Sequence, residues 1–348
     1  MEKENDNKNV LPGACSCMTL TSKTGRHYWF RTCDIETDLW KEGAHVIRQA
    51  AGEVIDYCDG RKETSMYSFV GMTYNDLDTW VLDGVNDQGL TGGLLMLYEG
   101  TSVDKAEEGK YGYVGMELVT KILSTCKNVK EVERLAEQIQ ILDISFENQK
   151  LSATMHYFFT DSSGDEVILE AAEEENPGRI RIFKKTEILG VMTNSPPYTE
   201  QVQNLSWFLS QSPEMKQGID GQAITELILD GRAVKADAEA EHLSLNGTFP
   251  GSYSSYDRFI RLAVLKFLNN SGNEFEDEKM LAIGNGIMNA VCEPYTKGIF
   301  HYTRMESDGK IIGQKDSFTQ YVTMYDIEEK CFYRKKFDEI IWTKHGLD

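Results

Sequence analysis

The chain of 348 residues lacks several things that would have named a function class at once. It has little positive charge: 36 Lys and Arg stand against 56 Asp and Glu, a formal net charge of -20. Phosphate recognition needs clustered Lys and Arg, so a nucleic-acid partner is excluded. No run of eighteen apolar residues occurs, which excludes a conventional transmembrane helix, and the first fourteen residues hold no apolar segment of the secretory kind. The seven cysteines form no C-x-x-C pair and are odd in number, so neither a disulfide framework nor a zinc site is indicated, and a reducing, cytoplasmic setting fits. Histidine is scarce, with six residues at no ligand spacing. There is no G-x-S-x-G elbow, no Walker loop and no H-E-x-x-H.

What is present is enough apolar residue, 41%, for a large core. Residues 1–14 are polar and are expected to be a leader that is disordered or removed, with residues 15–348 as a single domain. Strand-like runs are expected at Met18–Ser22, His27–Arg31, Met66–Met72, Trp80–Leu82 and Gly89–Leu97, with 35–65 as a surface excursion and Asp83-Gly84-Val85-Asn86 as a turn. Apolar spacing of three and four from Val114 to Leu142 predicts two helices broken near Cys126-Lys127-Asn128. Strands return from Met155 to Thr193, helices are expected at Gln201–Leu209, Ala223–Leu229, Asp257–Leu268 and Asp277–Val291, and strands close the chain from Tyr321 to Thr343. Strands in blocks and helices in blocks predict a layered α+β domain.

The chemistry concentrates between Cys15 and Asp34. Two β-like runs joined by Lys23-Thr24-Gly25 make a hairpin, which can bring Arg31 and Asp34 beside Cys15. A cation near a thiol favours the thiolate, and a carboxylate there can orient an amine. No histidine is placed as a base, whereas an α-amine, with a pKa of about 7.7–8.0, can take the thiol proton near neutrality. A cut between Ala14 and Cys15 would put nucleophile and base on one residue. On residue types alone, Cys15 and Cys17 serve equally well as buried strand cysteines. Asn194, at the end of the Met192-Thr193 strand, can hold a substrate oxygen or simply terminate the strand. Arg258 opens an apolar helix and reads alone as a surface arginine. His156 reads as a core histidine, Gly284-Asn285-Gly286 lacks the third glycine of a dinucleotide loop, and the acidic run from Lys235 to Glu241 reads as a solvated face.

Taken together these residues resemble the choloylglycine hydrolase family of N-terminal nucleophile hydrolases, which includes bile salt hydrolases and penicillin V acylases. Cys15 stands sixteen residues before Arg31 and nineteen before Asp34, and Asp83-Gly84-Val85-Asn86-Asp87-Gln88-Gly89-Leu90 is similar to the family's D-G-[MV]-N-E-K-G-L segment. His156 to Gly164, Gly190 to Pro196, and Pro250-Gly251 followed by Arg258-Phe259-Ile260-Arg261 match further signatures in order. The resemblance implies a four-layer αββα sandwich, hydrolysis of a linear amide of a small molecule without metal or organic cofactor, and a homo-oligomer, a tetramer in relatives. By position it implies Cys15 as nucleophile and base, Arg31 and Asp34 as its tuning pair, Asn194 as an oxyanion donor and Arg258 as electrostatic support. Met96 falls where the family places a second, backbone oxyanion donor, usually Asn or Tyr. Cys33, where Met is frequent, alters the pocket wall. The wording leans toward penicillin V acylase, with bile salt hydrolase second and a non-catalytic or biosynthetic ligand-binding member of the same fold as the competing class.

Overall fold

The computed structural model describes residues 13–36, 38–74, 77–146, 149–151, 155–172, 176–211, 226–229, 232–235, 250–270, 275–295, 301–305 and 311–348. Thirteen of its strands build two large antiparallel sheets. In chain order these are β1 (Gly13–Thr21), β2 (His27–Ile35), β3 (Val46–Gln49), β4 (Phe69–Tyr74), β5 (Leu77–Asn86), β6 (Thr91–Met96), β7 (Met155–Thr160), β8 (Glu166–Ala171), β9 (Ile180–Lys184), β10 (Val191–Thr193), β11 (Phe318–Asp326), β12 (Cys331–Lys336) and β13 (Thr343–His345). One sheet runs β10-β1-β2-β11-β12-β13 and the other β9-β8-β7-β6-β5-β4-β3. Most of their strands are buried on both faces, which only stacked layers allow.

Helices supply the outer layers. Helices α1 (Leu118–Thr125) and α2 (Val129–Ala136) pack on the seven-stranded sheet, and α2 opens on the Asn128 side chain, which accepts from the Glu131 N–H. After α3 (Tyr198–Gln211), helices α4 (Ser255–Asn270) and α5 (Asp277–Asn289) cover the six-stranded sheet. Strand β1 meets β6 across the interior, so the order of layers is helix, sheet, sheet, helix. The expected αββα arrangement is the one observed. Gly284 shows how close the layers come: a Cβ there would lie 2.0 Å from the Phe30 ring, so this glycine serves packing.

Several expectations are corrected. Residues 35–65 are not a plain surface excursion, because Val46–Gln49 is the edge strand β3 and Val54–Asp56 pairs with Lys62–Thr64; strands this short show too few alternations to read. Asp83-Gly84-Val85-Asn86 is not a turn. It lies within β5, where Gly84 lets layers approach, since a Cβ would stand 2.7 Å from Leu123 Cδ1 and 2.9 Å from the Val70 carbonyl. The turn comes later, around Gly89 with φ +82°. Ile139–Leu142 leaves the helical pattern and pairs in parallel with Tyr111–Val114. Glu226–Leu229 is a strand paired with Arg232–Lys235 rather than the end of a helix, and the last strand begins at Thr343. Residues 1–12 and 236–249 lie outside the described residues.

Candidate active site

The hairpin sets the site. Ser22 N–H donates to the Arg26 carbonyl at 2.9 Å, and Gly25, at φ +88°, closes the turn with its N–H on Ser22 at 3.0 Å. The register that follows puts Cys15 opposite Cys33, Cys17 opposite Arg31 and Ala14 opposite Asp34. Because side chains alternate across a strand, Cys15, Arg31 and Cys33 share the face turned toward the second sheet, while Ser16, Thr32 and Asp34 share the other.

On the first face the Arg31 Nη2 donates to Cys15 Sγ at 3.5 Å. Arg31 is itself fixed from β5: its Nη1 donates to the Leu82 carbonyl at 2.5 Å and to Asp83 Oδ2 at 3.0 Å. Asp83 also accepts from the Tyr321 hydroxyl at 2.7 Å, from Thr323 at 3.0 Å and from Tyr325. A carboxylate with this many donors is a satisfied buried charge, and it holds the guanidinium in place. The Cys33 thiol donates to Cys15, and this bond together with Arg31 outweighs burial, bringing the Cys15 thiol from the ordinary value of about 8.5 down to about 5. The same bond and burial push Cys33 up.

On the other face the backbone of Cys15 is held. Its N–H donates to Asn194 Oδ1, and Arg258 Nη1 donates to its carbonyl and to Ser16 Oγ, both at 2.6 Å. Arg258 Nη2 reaches Asn194 Oδ1 at 3.3 Å, and Asn194 Nδ2 donates to the Met96 carbonyl at 3.3 Å. Asn194 is clamped in turn through its carbonyl by Gln201 at 3.1 Å and Ser255 at 2.9 Å. Arg258 is therefore no surface arginine but 1% exposed and directed at the Cys15 backbone.

Asp34 accepts from Thr32 at 2.9 Å and Thr319 at 2.5 Å, and its backbone N–H faces the Cys15 sulfur. Burial, with the nearby Glu293 carboxylate second, pushes the Asp34 carboxyl up. Sequence reading missed Glu293, which follows α5 and is 4% exposed. Its N–H donates to Thr319 Oγ1 at 2.8 Å, and Thr319 N–H returns to its carbonyl at 2.9 Å, so Thr319 links it to Asp34. Burial pushes the Glu293 carboxyl up as well. No local pattern marks a lone Glu just past a helix end. Asp83 did carry a signal, since an acidic residue inside an apolar strand must have partners.

All seven residues expected at the site, Cys15, Arg31, Cys33, Asp34, Met96, Asn194 and Arg258, come together. Cys15, Arg31, Cys33, Asp34 and Met96 line a pocket with about 380 Å³ of empty space including its mouth, whose remaining wall is Leu, Ile, Met and Tyr. His156 is absent from that wall and pairs with Glu170 at 3.3 Å. Among the described residues no group of three His, Cys, Asp or Glu could hold a metal ion, and no helix is long and apolar enough to cross a membrane.

Comparison with known proteins matches residues 15–345 to the family of linear amide C-N hydrolases named for choloylglycine hydrolase. The chain is 23% identical to a bile salt hydrolase/transferase of Clostridium perfringens over 96% of this chain and 94% of that protein. It is 27% identical to a penicillin V acylase of Pectobacterium atrosepticum over 49% of this chain and 43% of that protein. Among solved structures, a variant of the conjugated bile acid hydrolase from Clostridium perfringens superposes with TM-score 0.71 at 20% identity, covering 96% of this chain and 92% of that one. Penicillin V acylase from Agrobacterium tumefaciens superposes with TM-score 0.64 at 19% identity, covering 95% and 84%.

Proposed function

Because the chain belongs to the choloylglycine hydrolase family of linear amide C-N hydrolases, we propose that Cys15, freed at its amino terminus, is the nucleophile of this hydrolase and its own base. The observation that carries the reading is convergence on one residue: Arg31 and Cys33 meet the sulfur, Asn194 meets the nitrogen and Arg258 meets the carbonyl. A cut after Ala14 turns that nitrogen into an α-amine already seated on Asn194, with Asp34 close by. The thiolate attacks the substrate carbonyl, and the oxyanion is met by the Asn194 amide and the Met96 N–H. The α-ammonium protonates the leaving amine. Water, deprotonated by the regenerated amine, then cleaves the thioester and releases the acid.

The apolar wall selects an acyl group with an apolar or aromatic body. The Asp83-Gly84-Val85-Asn86 and Val191-Met192-Thr193-Asn194-Ser195-Pro196 segments favour a penicillin V acylase-like substrate, cleaved without cofactor. The second reading, a conjugated bile salt, is favoured by the nearly full-length relative from Clostridium perfringens. A panel of phenoxyacetyl amides, N-acyl homoserine lactones and glyco- or tauro-conjugated bile salts decides between them. Turnover of phenoxyacetyl amides above bile salts supports the first reading, the reverse supports the second, and turnover unchanged in Cys15→Ala would remove Cys15 from the mechanism.

A further inference from the structure

Cys15 does not face the pocket alone. Cys33 is its direct partner across the β1–β2 ladder, both line the same pocket, and both are buried at 5% and 3% exposure. Opposed residues of antiparallel strands have Cα atoms about 4.5–5.5 Å apart, inside the range of about 4.4–6.8 Å that a disulfide spans. Their side chains leave the sheet on one face into one pocket, and Cys33 is the strongest influence lowering the Cys15 thiol. The ladder on the far side is loosened at this point, since the register of β2 against β11 shifts between Cys33 and Asp34. No other cysteine competes. Cys17 shares the face but stands opposite Arg31, and Cys58, Cys126, Cys292 and Cys331 are absent from the pocket wall.

We propose that Cys15 and Cys33 form an active-site dithiol in which Cys33 is the resolving thiol, closing a reversible disulfide that switches hydrolysis off when a hydroperoxide enters the pocket. The proposal rests on Cys15 being the nucleophile. Arg31 keeps that sulfur in the form that reacts with peroxide. Its electron pair attacks one peroxide oxygen, the O–O bond breaks, and the second oxygen leaves as hydroxide, so the sulfur becomes a sulfenic acid. The Cys33 sulfur then attacks the Cys15 sulfur, the S–O bond breaks, and hydroxide departs with the Cys33 proton as water. The net change is two thiols oxidised to one disulfide by one hydroperoxide, which is itself reduced to water or an alcohol. While the bond stands, Cys15 has no thiolate with which to attack an amide. A dithiol reductant returns both electrons. Cys33 thereby also protects Cys15 from the sulfinic state, which thiols do not reverse.

The test treats the reduced, processed enzyme with a small excess of hydrogen peroxide, alkylates free thiols in denaturant, and maps the cysteine peptides beside an amide turnover assay. The wild type is expected to become lighter by two hydrogens, to yield a Cys15 peptide joined to the Cys33 peptide, and to lose nearly all turnover, regained with dithiothreitol. In Cys33→Ala the Cys15 peptide is expected to gain two oxygens, and whatever turnover that variant starts with is lost without recovery. Cys33→Ser serves equally if the alanine variant folds poorly, and the wild-type peptide map decides by itself. Cys33 remaining alkylatable while wild-type Cys15 gains oxygen would overturn the proposal. A reduced wild type that turns over no amide, with both thiols free, would instead strike the nucleophile reading, and the mass readout separates the two failures.

Discussion

Arg31 and Asp83 form a fully buried ion pair, Nη1 to Oδ2 3.0 Å, with side chains 1% and 0% exposed, and through it the second sheet positions the cation beside Cys15. The thiol pocket is thus a joint product of β2 and β5, and neither the hairpin nor the D-G-V-N strand makes it alone.

Removing one partner of such a pair leaves an uncompensated buried charge. Asp83→Ala is expected to cost about 3–5 kcal/mol of folding stability, read from the midpoint of urea denaturation at constant slope. A loss below about 1 kcal/mol, the worth of an exposed pair, would show that Asp83 does not anchor Arg31.

The lowered Cys15 thiol predicts a pH signature. Thiolate is lost as pH falls through about 5, so the rate of Cys15 alkylation by iodoacetamide is expected to be flat from pH 8 to pH 6 and half-maximal near 5. Cys33→Ala and Arg31→Leu each remove a stabiliser of the thiolate and are expected to move that midpoint upward. A midpoint near the ordinary thiol value of about 8.5 in the wild type would contradict the electrostatic account.

Glu293 and Asp34 oppose each other as like charges, and each is pushed up chiefly by burial. Glu293→Gln removes one charge, so Asp34 ionises at lower pH. The acid limb of kcat/KM is expected to shift to lower pH, with the alkaline limb unchanged. An acid limb that stays in place, in a variant that folds, would separate Glu293 from the site's titration.

Gly84→Ala introduces a Cβ 2.7 Å from Leu123 Cδ1 and 2.9 Å from the Val70 carbonyl. Leu123 can turn but the carbonyl belongs to β4, so a loss of about 1–3 kcal/mol is expected from overpacking, measured by thermal or urea unfolding. A neutral variant would mean that β5 and α1 can separate without cost.

Legibility in the sequence followed locality. The hairpin, α1 and α2, and the strands after Met155 were readable because alternation or a 3.6-residue period runs long enough to be counted. Ordered motifs carried the distant residues Asn194 and Arg258, which no local pattern could have tied to Cys15. The turn expected at Asp83 failed because Gly84 and Asn86 carry turn chemistry in isolation, whereas here glycine answers a packing contact and Asn86 donates to the Leu123 and Cys126 carbonyls. Glu293 was illegible for a different reason: its place beside Asp34 depends on Thr319, from a strand that arrives only after α5.

If Cys15 works through its own α-amine, the intact mass of purified, active protein beside Cys15→Ala will show it. The wild type is expected at the mass of residues 15–348, and Cys15→Ala is expected to retain residues 1–14. Full amide turnover by wild type still carrying those fourteen residues would contradict that role for the amine.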